Sequence, residues 1–432
     1  MSSHHLPCST DDVLSHQEPT LKKVTELVST KASKVRQDEL LQALSLDDVP
    51  QVQVAAITHY LHSRGTRVER HFASLLKTFL PISTFQVLSK MDLQKEAPFA
   101  QPRNQKFTFI DLFAGIGGFR LAFQRLGGQC VFSSEWDTHA QKTYFANFGE
   151  IPFGDITEIA NEKRRSIEIP RHDILAGGFP CQAFSIAGQR GGFEDTRGTL
   201  FFNLAQIVAD HRPKAFFLEN VKGLTGHDRG RTLSIILRTL EDDLGYYVHY
   251  KLINARDYGV PQNRERVFIV GFKSRRASLQ FSFPKPKGND ATIRDIKESD
   301  VVSTKYYLSN QYLETLVKHR DRHMAKGNGF GFEIKNDDDI ANAIVVGGMG
   351  RERNLVIDTR LQDFTPKTNI RGPVNRQGIR RMTPREWARL QGFPDNFRIP
   401  VSDAQAYKQF GNSVSVPAVE ATVKQILKAL NE

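Results

Sequence analysis

Residues 177 to 185 read GGFPCQAFS: an apolar run opens into a glycine-rich loop, and Pro180, with its fixed φ, precedes Cys181. A thiol held on a loop at a strand end can act as a nucleophile. Other reactive groups occupy comparable places. Glu219 closes the run AFFLEN, and Arg264 and Arg266, in QNRERVF, precede another run. Each has a plainer structural reading, with Cys181 as a small core residue, Glu219 as a helix cap and the arginines as surface ion pairs. Their joint occurrence at strand ends favours one crevice holding a thiol, a carboxyl and guanidinium groups. Such a set suits thiolate addition to carbon 6 of a pyrimidine ring, which is electrophilic only when an acid at ring nitrogen 3 neutralises the developing charge. Cys181 would attack and Glu219 would stabilise the adduct, while the nearby arginines lower the thiol pKa and hold the base. Carbon 5 then becomes enamine-like and can take a methyl group from a sulfonium donor before its proton and the thiolate depart.

A second group of residues suits a nucleotide-type cofactor. FIDLFAGIGGF places Gly115, Gly117 and Gly118 where a strand turns into a helix, which lets the backbone approach a ligand at the helix N-terminus. Glu135 lies 20 residues after Gly115 at the end of the next strand, where a carboxylate can hold ribose hydroxyls. Asp155, in FGDIT, closes what reads as a third strand and is placed to meet an adenine amino group. A tight strand-to-helix turn explains the glycines alone; with carboxylates at successive strand ends, a bound adenosine is the better reading. The pattern leaves open whether the adenosine belongs to a dinucleotide or to S-adenosylmethionine.

These positions need a scaffold. FTFIDLFA, QCVFSSEW, HDILAGG, KAFFLENV and RVFIVGF are short runs rich in Phe, Val and Ile, suited to buried strands. Between them, Phe119, Ala122, Phe123 and Leu126 repeat at helical spacing before Gly127, as do Leu233, Ile236, Leu237, Leu240 and Leu244 before Gly245. Strict alternation implies a parallel sheet covered on both faces, a doubly wound α/β domain with its site at the carboxyl edge. From about residue 273 the alternation stops, and a smaller irregular domain is expected over 273–391. The stretch from Val416 through Val419, Val423, Ile426, Leu427 and Leu430 is amphipathic and returns to the first sheet. The expected division is therefore a helical extension over 1–104, a cofactor-binding domain over 105–272 and 392–432, and the irregular domain between. In the extension, LKKVTELV, ELLQAL and VERHFASLLKTFL each carry an apolar stripe, as a plain helical extension or a helix-turn-helix module.

With 432 residues the chain has room for roughly two or three domains. Three cysteines, none in a CxxC pair, exclude a disulfide framework and a structural zinc site, and no metal is expected. No apolar run reaches the ~18 residues of a membrane span, and the start lacks signal-peptide features, so a cytoplasmic protein without a membrane partner is expected. The net charge of +11 is unevenly spread: residues 273–398 hold 24 basic and 15 acidic side chains, while residues 1–104 hold 12 and 11. Of those 24 cations, 15 are arginine, the side chain best shaped for phosphates and guanine edges. A polyanionic partner follows from this, with a solvated basic surface as the alternative.

The chain resembles the DNA (cytosine-5) methyltransferases in motif order: DLFAGIGG, SSEWD, GDIT, GGFPCQAFS, FLENVKGL, QNRERVFIVG, MTPREWARLQGFP and QFGNSVSVP. The resemblance implies a Rossmann-like methyltransferase sheet, S-adenosylmethionine as cofactor, and double-stranded DNA as substrate, with the target cytosine flipped out of the helix. It makes Cys181 the nucleophile, Glu219 the acid on the ring, and Arg264 and Arg266 their companions. Phe113, Gly115, Gly117, Glu135, Trp136, Asp155, Ile156, Asn412 and Ser413 would line the cofactor site. Ser185, Gln189 and Arg190, in and before the loop GQRGGFEDTRG, would close on the DNA. The interval between QNRER and PREWARLQG would contain the target-recognition domain. Within it, KGNGFGFEI and GGMGRERNLV resemble the bacterial type II restriction-modification enzymes of the EcoRII/Dcm-like group, which implies a short palindromic CC…GG site. Arg351 and Arg353 are candidates there for guanine contacts, with phosphate contacts or ion pairs as alternatives. A monomer associated with the nucleoid through DNA is expected, sharing its site with a cognate restriction endonuclease without a stable complex. The rival readings are a catalytically silent DNA-binding regulator on the same scaffold, an NAD-linked oxidoreductase, which gives no reason for PCQ, ENV or a basic domain, and a relative that methylates RNA.

Overall fold

The computed structural model describes residues 51–66, 68–80, 82–90, 92–93, 97–160, 168–180, 200–288, 290–327, 331–347, 350–365 and 372–431, with the short strand Lys34–Val35. The helices expected in LKKVTELV and ELLQAL fall outside these residues. The described N-terminal part contains α1 (Gln51–Ser63), α2 (Glu69–Phe79) and α3 (Ile82–Lys90). The stripe of VERHFASLLKTFL becomes α2, which buries Phe72 and Leu76. No described helix is long and apolar enough to cross a membrane.

The apolar runs form β1 (Phe107–Leu112), β2 (Gly128–Ser134), β3 (Ile174–Gly178), β4 (Ala215–Val221) and, after a strand β5 (Tyr247–Asn254), β6 (Glu265–Phe272). They make a six-stranded sheet in the order β2-β1-β3-β4-β6-β5. Strands β2, β1, β3 and β4 are parallel, but β6 runs antiparallel to both β4 and β5. The expectation of a wholly parallel sheet is thus corrected. The connection from β5 to β6 covers only residues 255–264, with a 3-10 turn, Ala255–Tyr258, and a two-residue strand, Gln262–Asn263. A parallel return needs a crossover of a dozen or more residues, so this short link reverses the chain. Strand β5 was absent from the expected set because it is a sheet edge with mostly half-exposed or exposed side chains. It therefore lacks the apolar run that marks a buried strand. The third strand expected before Asp155 is only an isolated bridge between Ser134 and Phe153.

The helices follow from capping and periodicity. Helix α4 (Gly118–Arg125) buries Phe119, Ala122 and Phe123. Asp137 caps α5 (Thr138–Phe148) by accepting from the His139 and Ala140 N–H groups, and Gly149 ends it at φ 79°. The short α6 (Ile156–Ile159) follows, then α7 (Leu200–His211) and α8 (Arg231–Arg238), which passes into a π-helical turn at Thr239–Asp243. The alternation along β1 divides the apolar interior: Ile110 and Leu112 face a core shared with α1, α2, α7 and α8, while Phe109 faces one shared with α4, α5 and the C-terminal helix.

After α9 (Arg275–Gln280) and α10 (Ile293–Ile296) the chain forms α11 (Asn310–Met324) and a small sheet of three short strands, β7 (Ile334–Lys335), β8 (Leu355–Ile357) and β9 (Ile379–Arg381), while a further two-residue strand, Ala341–Asn342, pairs with Gln262–Asn263. Apolar clusters here are small, such as Leu308, Leu316, Leu355 and Ile379. An ionic core supplements them. Arg380, fully buried, makes a bidentate pair with Glu386 at 2.7 and 2.8 Å and also reaches Asp358 at 3.2 Å. Glu386 closes a capping box with Thr383 at the start of α12 (Pro384–Leu390). Helices α13 (Asp403–Asn412) and α14 (Val416–Asn431) complete the chain, and α14 buries Val416, Val419, Val423 and Ile426 against the α4 face of the sheet.

Candidate active site at the carboxyl edge of the sheet

The glycine turn sits where β1 ends. Phe113 (φ 55°), Gly115 (φ 54°) and Gly117 (φ 85°) all adopt left-handed backbone, with Gly117 as the N-cap of α4. A non-glycine residue in that region marks stored strain of the kind found at ligand sites. An added Cβ at Gly117 would collide with the Phe148 ring, whereas at Gly115 it would meet nothing within 4 Å. Gly117 is thus required by packing, and Gly115 leaves open space over the turn.

Glu135 follows β2 and ties two loops together. One oxygen accepts the Gly115 N–H at 2.8 Å and the other the Asp137 N–H at 2.8 Å. Burial raises its pKa against the pull of those N–H groups. The adjacent Trp136 is 74% exposed, an indole face left uncovered beside the turn. Asp155 is exposed and caps α6 by accepting the Thr157 N–H at 2.8 Å, while Ile156 lies in the apolar core beneath. The C-terminal part reaches the same edge: an added Cβ at Gly118 would lie 2.8 Å from Val414 and 3.0 Å from the Ser413 hydroxyl, and Lys408 of α13 pairs with Asp137 at 2.6 Å. Asn412, exposed, ends α13 just before Ser413.

Register places the reactive groups. Gly178, the last residue of β3, lies opposite Glu219 of β4, and an added Cβ there would be 3.5 Å from a Glu219 oxygen. The described chain then runs through Phe179 to Pro180; Cys181, Ser185, Gln189 and Arg190 lie outside the described residues. Glu219 is buried, and its Oε1 meets Arg266 Nε at 3.1 Å. Burial raises its pKa in spite of Arg266 and Arg264. Because β6 is antiparallel, its first residues, not its last, reach the edge that carries Glu219. In a fully parallel sheet Arg264 and Arg266 would have been stranded at the opposite edge.

The two arginines differ in what they hold. Arg266 lies on the carboxylate. Arg264 is 2% exposed and donates to the carbonyls of Ile344 (2.8 Å), Gly411 (3.0 Å) and Ser413 (2.7 Å). Burial, with Arg266 adding to it, lowers its pKa to about 9. Arg264 therefore joins the irregular region and the Asn412–Ser413 segment to the sheet. Gln262 does the same, donating to Leu390 and accepting from the Ile344 N–H. This role of Gln262 was not anticipated, nor was that of Asn220, whose side chain donates to the Phe179 carbonyl at 2.8 Å and anchors the chain entering Cys181. The quoted motifs QNRER and FLENVKGL contain both residues. Cys130 is buried, and burial pushes its thiol up to about 12, which leaves it unreactive. Arg351 and Arg353 are exposed, flanking buried Glu352, and Arg351 lies over the Tyr407 ring at 5.5 Å.

Comparison with known proteins agrees with this architecture. A family model described as C-5 cytosine-specific DNA methylase matches residues 107–428. Type II methyltransferase M.HpaII of Haemophilus parainfluenzae is 66% identical over 327 residues, covering 76% of this chain and 90% of that protein. Type II methyltransferase M.DsaV of Dactylococcopsis salina is 46% identical, covering 76% and 88%. Among solved structures, the S. pombe Dnmt2 methyltransferase superposes with a TM-score of 0.57 at 19% identity, covering 76% of this chain and all of that one, a likeness of fold. The chain accordingly belongs to the C-5 cytosine-specific DNA methylases, as a DNA cytosine-5-methyltransferase of the type II restriction-modification kind that uses S-adenosylmethionine as methyl donor.

Proposed function

We propose that this enzyme methylates one cytosine within a short duplex site of the CC…GG type, by flipping the base and forming a covalent Cys181 adduct. The observation that carries the reading is the buried carboxyl of Glu219, held by Arg266 and in register with the end of the strand that leads to Cys181. A thiolate from Cys181 adds to carbon 6 as Glu219 supports a proton at nitrogen 3, so that charge does not accumulate on the ring. Burial raises the Glu219 pKa, the direction that favours a carboxyl sharing that proton. Asn220 fixes the entry to the cysteine loop, and Arg264 acts as a positioning residue at the junction of three segments. Departure of the carbon 5 proton and then of the thiolate restores the aromatic ring.

The cofactor residues are Phe113, Gly115, Gly117, Glu135, Trp136, Asp155, Ile156, Asn412 and Ser413. The open space over Gly115, the uncovered Trp136 face and the exposed Asp155 fit an adenosine group. S-adenosylmethionine, when bound there, supplies a methyl group activated by its sulfonium. Residues 273–391 act as target-recognition domain, with Arg351 and Arg353 toward guanines and Ser185, Gln189 and Arg190 in the part that closes on DNA. The protein works as a cytoplasmic monomer, nucleoid-associated through DNA, protecting sites from a cognate endonuclease without forming a stable complex with it.

The test is to incubate the purified chain, beside a Cys181→Ala variant, with tritiated S-adenosylmethionine and unmethylated DNA, and to map modified positions by bisulfite sequencing. Protected cytosines confined to one CC…GG context and lost in the variant are expected. Protection in an unrelated context overturns the site assignment; protection by the variant overturns the nucleophile.

A further inference from the structure

The segment from Gly149 to Asp155 is held by a helix that precedes the family-matched residues 107–428. One face of α1 meets it repeatedly. The Gln51 side-chain amide donates to the Pro152 carbonyl at 3.2 Å. The Thr58 hydroxyl accepts the Ile151 N–H at 3.1 Å while donating to the Ala55 carbonyl at 2.9 Å. His59 lies 3.5 Å from the Glu150 carboxylate, which Arg120 of α4 also holds at 2.7 Å. The His62 ring fills the space where a Cβ on Gly149 would fall. Positions 51, 58, 59 and 62 share one helical face. Helix α2 adds Phe72, whose ring is parallel to that of Phe153, while Phe153 stacks on Phe132 of β2 at 4.8 Å. Two of these bonds, from Gln51 and Thr58, fall directly on the backbone that ends in the exposed Asp155.

We propose that α1 is a positioning element of the cofactor site: through Gln51 and Thr58 it sets the backbone of residues 151–154 and so the place at which Asp155 meets the adenosine. The inference rests on the assignment of Asp155 to that site. It gives the N-terminal extension a part in methyl-donor binding rather than in DNA contact.

The test uses the full chain titrated calorimetrically with S-adenosylhomocysteine, and separately with a target duplex. Gln51→Ala and Thr58→Val are each expected to weaken S-adenosylhomocysteine binding by about three- to tenfold, the range of one lost hydrogen bond, with duplex affinity unchanged. Thr58→Ser, which keeps the hydroxyl, restores it. Gln51 is half-exposed, so its truncation leaves the fold intact even where Thr58→Val does not. Wild-type cofactor affinity in Gln51→Ala and Thr58→Val, with Asp155→Ala weakened, overturns the positioning role. Equal loss of cofactor and duplex affinity also overturns it, by making α1 a general structural support. Unchanged binding in Asp155→Ala removes the assignment of Asp155 itself, a different failure.

Discussion

The carboxyl edge of the large sheet and the irregular region from 273 to 391 use charge in opposite ways. At the edge, few charges are present and each is aimed: Glu219 is set by strand register and Arg266, and Glu135 by the N–H groups of neighbouring loops. The irregular region carries most of the net charge, yet several of its arginines are committed to its own carboxylates. Arg360 and Arg380 hold Asp358, Arg380 also holds Glu386, Arg381 pairs with Glu352, and Arg389 with Asp395. Besides Ile293, Ile344, Val356 and Trp387, which it adds to the main core, that region has two small apolar clusters and a buried ionic one. A regional charge excess is therefore not a count of cations facing a ligand. The exposed pair Arg351 and Arg353 is closer to such a count.

Removing Arg380 leaves Glu386 buried without its cationic partner, while Asp358 keeps Arg360, so Arg380→Ala should cost about 3–5 kcal/mol in urea unfolding. Arg353→Ala should leave stability within about 0.5 kcal/mol. At the sheet edge the order reverses: Glu219→Gln should leave stability nearly unchanged but lower turnover by about 10²–10³-fold, with duplex affinity kept. Acid titration probes the third charged site, under α1. Burial, outweighing Glu150, lowers the His59 pKa from 6.5 to about 4, while Arg120 and His59 hold Glu150 at about 2 against its burial. The unfolded chain then binds the extra proton between those His59 values, so stability is full above pH 6.5 and falls as pH drops toward 4. His59→Gln should remove that dependence, worth about 3 kcal/mol at the lower limit, while His172 contributes equally to both proteins. The smallest effect is expected for Arg353→Ala in competition methylation of matched and single-mismatch duplexes, a loss of about 1–3 kcal/mol in discrimination.

Much of the edge was legible because its signals are local. Apolar runs ending in Gly, Glu or Asp place those residues at strand ends whatever the rest of the chain does. The direction of β6 was not legible, since the RVFIVGF run reads the same either way and only the short link 255–264 reverses it. That reversal brings Arg264 and Arg266 to the edge on which they had been placed by a parallel sheet that would have excluded them. The burial of Arg264 among the carbonyls of Ile344, Gly411 and Ser413 depends on contacts over 80 to 149 residues, which no local pattern carries. Arg351 and Arg353 could be named from sequence, but not separated from Arg380 and Arg381, because the buried and exposed arginines have similar neighbours. The part played by α1 was hidden for a related reason: its stripe shows that it packs, not what it packs against.

The proposed covalent route requires that Cys181 attack the cytosine ring while Glu219 supports nitrogen 3. Its most direct test replaces the target cytosine of a duplex with 5-fluorocytosine, since fluorine cannot leave carbon 5 as a proton does and the adduct should stall. Incubation of the full chain with this duplex and S-adenosylmethionine, followed by digestion and mass spectrometry, should give a nucleotide linked to the peptide containing Cys181, absent in Cys181→Ala and strongly reduced in Glu219→Gln. A chain that methylates ordinary DNA but yields no linked peptide, or one linked through another residue, would contradict the account.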